Sequence, residues 1–186
     1  MFELEHSKGA YWADFGAYAL FVGGMSVGLP MFAPRDQWVA MGALTAAGLV
    51  AWSLVEYLMH RFILHGLEPF STWHSRHHAR PTALISSPTV LSASLISLLV
   101  FAPAALATTA WMGAALTLGV VAGYLAYAVC HHGTHHWRAE SQWFKERKLW
   151  HALHHRGGGG QCYGVTFTLW DRVFRTGPRR PTKRSC

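Results

Sequence analysis

MHRFILHGLEPFSTWHSRHH, residues 59–78, closes a long apolar run and carries five histidines. The run before it, Trp38 to Met59, is interrupted only by Glu56, and about 20 such residues suffice for a helix to cross a bilayer. Two further histidine groups follow, CHHGTHHW at 130–137 and WHALHHR at 150–156, each after or downstream of apolar sequence. These segments are expected to converge on one metal site in an all-α integral membrane protein.

Composition supports that class. Of 186 residues, 51% are hydrophobic and 13% charged, which is too apolar for an ordinary soluble domain of this size. The abundant Trp, Phe and Tyr suit side chains at bilayer interfaces. The net charge of +7 comes from basic residues lying between hydrophobic spans, not from one polar patch. Nucleic acid is therefore excluded as a partner, and anionic lipid headgroups are the expected counter-charge. Cys130, Cys162 and Cys186 have no CxxC spacing, so no disulfide framework is read and a reducing compartment is expected. The N-terminus lacks a small-residue cleavage pattern, so no removable signal peptide is expected.

Four spans account for the hydropathy, at about 11–31, 38–59, 88–107 and 114–130, with a polar cap from 60–87 and 131–186 completing one domain over 1–186. Pro30 and Pro34 should close the first span, and Gly23, Gly24 and Gly28 should let a neighbouring helix approach. Pro103 is expected to kink the third span, and the short TTAWMG connection to make spans three and four an antiparallel pair. Of the sixteen Lys and Arg, all but Arg35 fall on the side holding the histidine groups and both termini. The positive-inside rule makes that side cytoplasmic. GGGG at 157–160 reads as a flexible surface loop.

Histidine spacing carries the chemistry. His74, His77 and His78 follow an i, i+3, i+4 pattern that His151, His154 and His155 repeat. On a helix each trio clusters along one face, within reach of one metal or two adjacent metals. In HHGTHH, His131 pairs with His135 and His132 with His136; the pairs point about 100° apart, so one of them should face the site. His60 and His65 would diverge by roughly 140° on an ideal helix, so either the helix ends between them or they serve different metals, and Gly66 and Pro69 favour a helix end. His6 reads as an ordinary surface or core residue. Imidazole suits Fe, Zn, Cu or Ni, and so many histidines exceed the capacity of one ion. HExxH is absent, which weakens a zinc-protease reading. Glu56 is expected to accept a hydrogen bond from His60 and fix its tautomer.

These residues resemble the membrane-bound fatty acid hydroxylases, which belong with the sterol desaturases, and most closely the fatty acid 2-hydroxylases. WSLVEYLMHRFILH at 52–65, including Glu56, Tyr57 and Arg61, is similar to that group's signature at the foot of the second span, and WHSRHHARP at 73–81 continues it. YAVCHHGTHHW at 127–137 is similar to a Y-D-x-x-H-Y-x-x-H pattern, which selects His131 and His135 and leaves His132 and His136 as extras. WHALHH and YGVTFTLWDRVFRT at 163–176 resemble the final histidine box and the C-terminal motif, so the resemblance covers 52–176.

The resemblance implies a helical membrane anchor and a cytoplasmic cap with two metal ions, iron in activity or zinc in crystals. Their ligands would be His60, His65, His74, His77, His78, His131, His135, His151, His154 and His155. It further implies O2 as co-substrate, a membrane acyl or sterol-like lipid as substrate, and a separate electron donor of cytochrome b5-like or ferredoxin-like type. The basic tail around Arg172, Arg175, Arg179 and Arg180 could dock such an acidic donor, or contact headgroups. Departures concern the substrate: Ala128 replaces the usual Asp, and PTALISSP at 81–88 lacks an Asp and an Arg. Hydroxylation of an unactivated C–H is the leading expectation. Lipid or sterol desaturation and carotenoid hydroxylation are alternatives on the same histidine set, although LWDRVF favours the fatty acid and sterol branch. The rival of another class, a membrane metal-binding or transport protein, would place ionisable ligands mid-span, where this chain has almost none.

Overall fold

The computed structural model describes residues 5–178. The helices are α1 Lys8–Phe32, α2 Trp38–Leu58, α3 Phe70–Ala79, α4 Thr89–Ile96, α5 Ala102–Ala107, α6 Ala110–His136, α7 Gln142–Arg156 and α8 Leu169–Val173. Among the described residues there is no β-strand, and Glu5–Ile85 is an isolated bridge. A π-helical turn, Met59–Leu64, extends α2, and a second, Ser97–Phe101, joins α4 to α5. Among the described residues, four stretches are long and apolar enough to cross a membrane: Lys8–Phe32, Arg35–Leu64, Thr89–Ala107 and Ala110–His136. The chain is an all-helical, multi-span membrane protein.

It divides into two compact units, one built from residues up to Ser53 with Thr82–Ala128, the other from Leu54–Pro81 with the residues from Val129 onward. In the first unit the helices approach through glycine, but not at the positions expected. Gly23, Gly24 and Gly28 of α1 have open space where a side chain would begin. A small residue permits a close approach without compelling one. The close approach is instead between α2 and α6, where a Cβ on Gly119 would collide with the Thr45 carbonyl and one on Gly48 with that of Leu116. Thr45 Oγ1 donates to the Ala115 carbonyl at 3.0 Å in the same contact. Leu29, Ala33, Met41, Ala115 and Leu118 form the core beside it.

Pro30 does not end α1, which continues to Phe32. A proline this close to the C-terminus forfeits one N–H bond, and the Ala33 N–H still reaches the Leu29 carbonyl at 3.0 Å. Asp14, the acidic group in this span, accepts from the hydroxyls of Thr89 and Ser86, so its charge is not left bare in an apolar setting. Near Pro103 the chain adopts the π turn, with the Ala102 N–H bonded to Ser97 O. A π turn is one of the recognised ways a helix absorbs such an interruption. Gly113 packs against Ala105, bringing α5 and α6 together as the short connection predicts.

Candidate metal centre

Every histidine of interest lies in the second unit. His60 sits in the π turn and His65 is its C-cap. Five residues separate them, and the i→i+5 closure of a π-helix brings such a pair back toward one face. Of the two expected alternatives the helix end is the one observed, since the helical turn stops at Leu64 and both rings reach one cluster. Helix α3 carries His74, His77 and His78, α6 carries His131 and His135, and α7 carries His151, His154 and His155. Ser141 starts α7, its Oγ accepting from the Phe144 N–H at 3.2 Å.

The ten rings form two groups of five, His60, His65, His74, His78 and His154 in the first, His77, His131, His135, His151 and His155 in the second. Within each group the ligand-capable atoms all lie within 4.8 Å of one another. Each i, i+3, i+4 trio is therefore shared: α3 sends His74 and His78 to the first group and His77 to the second, and α7 sends His154 to the first and His151 and His155 to the second. His132 and His136 join neither group and stack on each other, centroids 4.3 Å apart.

Hydrogen bonds fix the orientation of the first group. His60 Nδ1 lies 2.5 Å from the Tyr163 carbonyl, and His154 Nδ1 lies 2.7 Å from that of Gln161. A carbonyl only accepts, so both rings carry their proton on Nδ1 and turn the Nε2 lone pair inward. His74 Nε2 is 3.0 Å from His60 Nε2 and 3.1 Å from His78 Nε2; His154 Nε2 is 3.0 Å from His65 Nε2 and 3.1 Å from His78 Nε2. In the second group His151 Nε2 is 2.8 Å from His135 Nε2 and 3.1 Å from His155 Nε2.

The residues fit a metal ion in each group. Ligands at right angles on metal–imidazole bonds of about 2.1 Å stand roughly 3.0 Å apart, the spacing observed. His77 is buried with neither ring nitrogen hydrogen-bonded, a cost of about 1–3 kcal/mol that a bound cation would offset. Protonation is suppressed as well. Burial, then neighbouring imidazoles, push His77 down to about 2 and His78 down to about 3. Burial is again the main cause that brings His154 and His155 down to about 4, while His74 and His151 fall further still. At neutral pH these rings are uncharged and keep a lone pair for coordination.

Two expectations are corrected here. Glu56 does not touch His60; its Oε1 accepts from the N–H groups of Val165 and Thr166 at 2.7 and 2.8 Å. The four-residue spacing on an α-helix suggested a contact, but the π turn rotates His60 away toward Tyr163. GGGG is not simply a flexible surface loop either: Gly159 is buried at φ +75°, and a Cβ there would run into the His65 ring. Tyr163, Gln161 and Asp171 escaped the sequence reading because a backbone carbonyl leaves no side-chain signature and a buried Asp in LWDRVF looks like any helix-start acid. Of the basic tail, Arg172 pairs with Glu146 at 3.3 Å, while Arg179 and Arg180 lie outside the described residues.

An all-helical membrane protein with paired five-histidine clusters is a narrow class. Residues 45–176 match the fatty acid hydroxylase family profile. A dihydroceramide fatty acyl 2-hydroxylase, FAH2, of Arabidopsis thaliana is 34% identical over 149 residues, covering 74% of this chain and 62% of that protein. The ceramide very long chain fatty acid hydroxylase scs7 of Schizosaccharomyces pombe is 32% identical over 148 residues, covering 69% of this chain and 40% of its own length. The chain thus spans less than two thirds of these relatives. The solved hydroxylase domain of scs7p superposes with a TM-score of 0.74 at 25% identity, over 91% of this chain and 67% of that one. This chain belongs to the fatty acid hydroxylase family.

Proposed function

We propose that this protein hydroxylates an unactivated C–H of a fatty acyl chain in a membrane lipid, using two metal ions held by the ten clustered histidines. The observation that carries this reading is the division of those histidines into two groups of five, each with inward-facing nitrogens at metal-ligand spacing. The relatives' names support a ceramide-type acyl lipid as the substrate class.

His60, His65, His74, His78 and His154 would hold one ion, and His77, His131, His135, His151 and His155 the other. Iron is the expected metal in activity, with zinc able to occupy the same imidazoles. Two ions held there would supply O2 activation, the overall reaction taking up O2, two electrons from a donor and two protons and giving the hydroxylated lipid and water. The protein's own share is positional. The Tyr163 and Gln161 carbonyls keep His60 and His154 in the ligating tautomer, and burial keeps the rings unprotonated and rigid. Electrons would come from a cytochrome b5-like or ferredoxin-like protein, with exposed Arg172 and Arg175 as docking charges. The distribution of Lys and Arg supports a cytoplasmic site.

Desaturation is the closest alternative, since removal of a second hydrogen would replace oxygen return on the same residues. Mass spectrometry of lipids from cells with and without the protein distinguishes them. The expected product has gained one oxygen atom. A product lacking two hydrogens would replace hydroxylation with desaturation, and no altered lipid would overturn the proposal.

A further inference from the structure

Both carbonyls that orient the first histidine group belong to one short strap, residues 161–166, and two buried carboxylates hold that strap by its backbone. Asp171 is wholly buried. Its Oδ1 accepts from the Tyr163 N–H at 2.9 Å and from Thr176 Oγ1 at 2.7 Å, and its Oδ2 accepts from the Gly164 N–H at 2.7 Å. Glu56 Oε1 takes the next two N–H groups, those of Val165 and Thr166. Four consecutive backbone donors thus end on two carboxylates, and the fixed peptide units present the Tyr163 carbonyl to His60. The Gln161 carbonyl, two residues upstream, meets His154. Gly164 is required for this path, because a Cβ there would collide with the Phe167 carbonyl and reach Asp171 Oδ2 at 2.9 Å. Arg61 donates to Tyr57 Oη at 2.7 Å, and Tyr57 Oη is 3.0 Å from Thr176 Oγ1, which extends the tie to the π turn bearing His60.

The strap meets the helices of the second group through its carbonyls, that of Val165 accepting from Cys130 Sγ at 3.6 Å and that of Thr166 from Arg147 at 3.4 Å, and no strap carbonyl is seen on a second-group ring among the described residues. His77 has no hydrogen-bond partner on either ring nitrogen, and His151 has none on Nδ1.

We infer that Asp171 and Glu56 are positioning residues for one metal of the pair: through the 161–166 strap they orient His60 and His154, and their loss weakens the first site while sparing the second. This rests on the reading that each histidine group holds one ion. Asparagine at 171 offers one acceptor oxygen and an NH2 that faces a backbone N–H, so Asp171→Asn breaks at least one strap contact. Glu56→Leu removes the other anchor, whereas Glu56→Gln keeps an acceptor at Oε1. Support of this kind changes metal affinity roughly 10–100-fold.

The test is a titration of full-length protein, stripped of metal in detergent, with Co2+, following stoichiometry and the absorption of each bound ion. Wild type should bind two ions. Asp171→Asn and Glu56→Leu should lose roughly 10–100-fold in affinity for one ion, with the other's affinity and spectrum unchanged, and Glu56→Gln should recover both. Equal weakening of both ions, as in a general loss of fold, overturns the inference, as do unchanged affinities in both variants. Thr176→Val removes one contact to Asp171 without touching a charge, and it should weaken the same single ion if Asp171→Asn does not fold. A wild type that binds no ion at all overturns the proposed function and this inference with it.

Discussion

Replacing His154 with alanine is expected to abolish hydroxylated lipid and to leave the protein in the membrane with one metal ion instead of two. His154 is fully buried, with Nδ1 tied to the Gln161 carbonyl and Nε2 within 3.0–3.1 Å of His65 and His78. Alanine deletes a ligand, so the affinity of the first ion should fall beyond the roughly 10–100-fold that loss of an outer hydrogen-bond partner costs. His151→Ala should do the same to the second ion, its Nε2 lying between those of His135 and His155. The two variants should be equally inactive and should differ in which ion remains. Metal analysis with lipid mass spectrometry checks this; full product from His154→Ala would exclude the residue as a ligand.

The second large effect concerns a glycine. Gly159→Ala is expected to lower metal affinity at the first site at least about tenfold, while Gly158→Ala retains both ions. Both glycines adopt positive φ, +65° at 158 and +75° at 159, so alanine brings a similar backbone cost at each. The difference is what the new Cβ meets: nothing within 4 Å at Gly158, but at Gly159 the His65 ring, with Nδ1 at 2.6 Å. Backbone strain alone would affect both variants alike, so metal affinities measured side by side separate strain from ligand displacement. Equal losses would show that the contact with His65 does not matter.

Much of this arrangement was legible in the residues. Spans follow from apolar length, since a helix that crosses a bilayer must be about 20 residues of mostly apolar side chains. The trios on α3 and α7 follow from helical periodicity, and so does the separation of the His131 and His135 pair from His132 and His136. The division of each trio between two groups was not legible. That depends on where facing helices bring their own rings, a tertiary fact. Nor could periodicity foresee the π turn, because i→i+5 closure leaves no mark in hydropathy and changes which residues share a face. The same turn explains why Glu56, expected to accept from His60, holds the strap instead. Gly23, Gly24 and Gly28 illustrate the converse, for a small residue allows contact and the partner's shape decides whether it occurs.

The most direct test of the account is the metal content of the full-length protein purified from iron-supplied cells, measured by elemental mass spectrometry against chain concentration. Two groups of five buried or half-buried, unprotonated imidazoles predict two transition-metal ions per chain. A saturated content of one ion, or none, would contradict it.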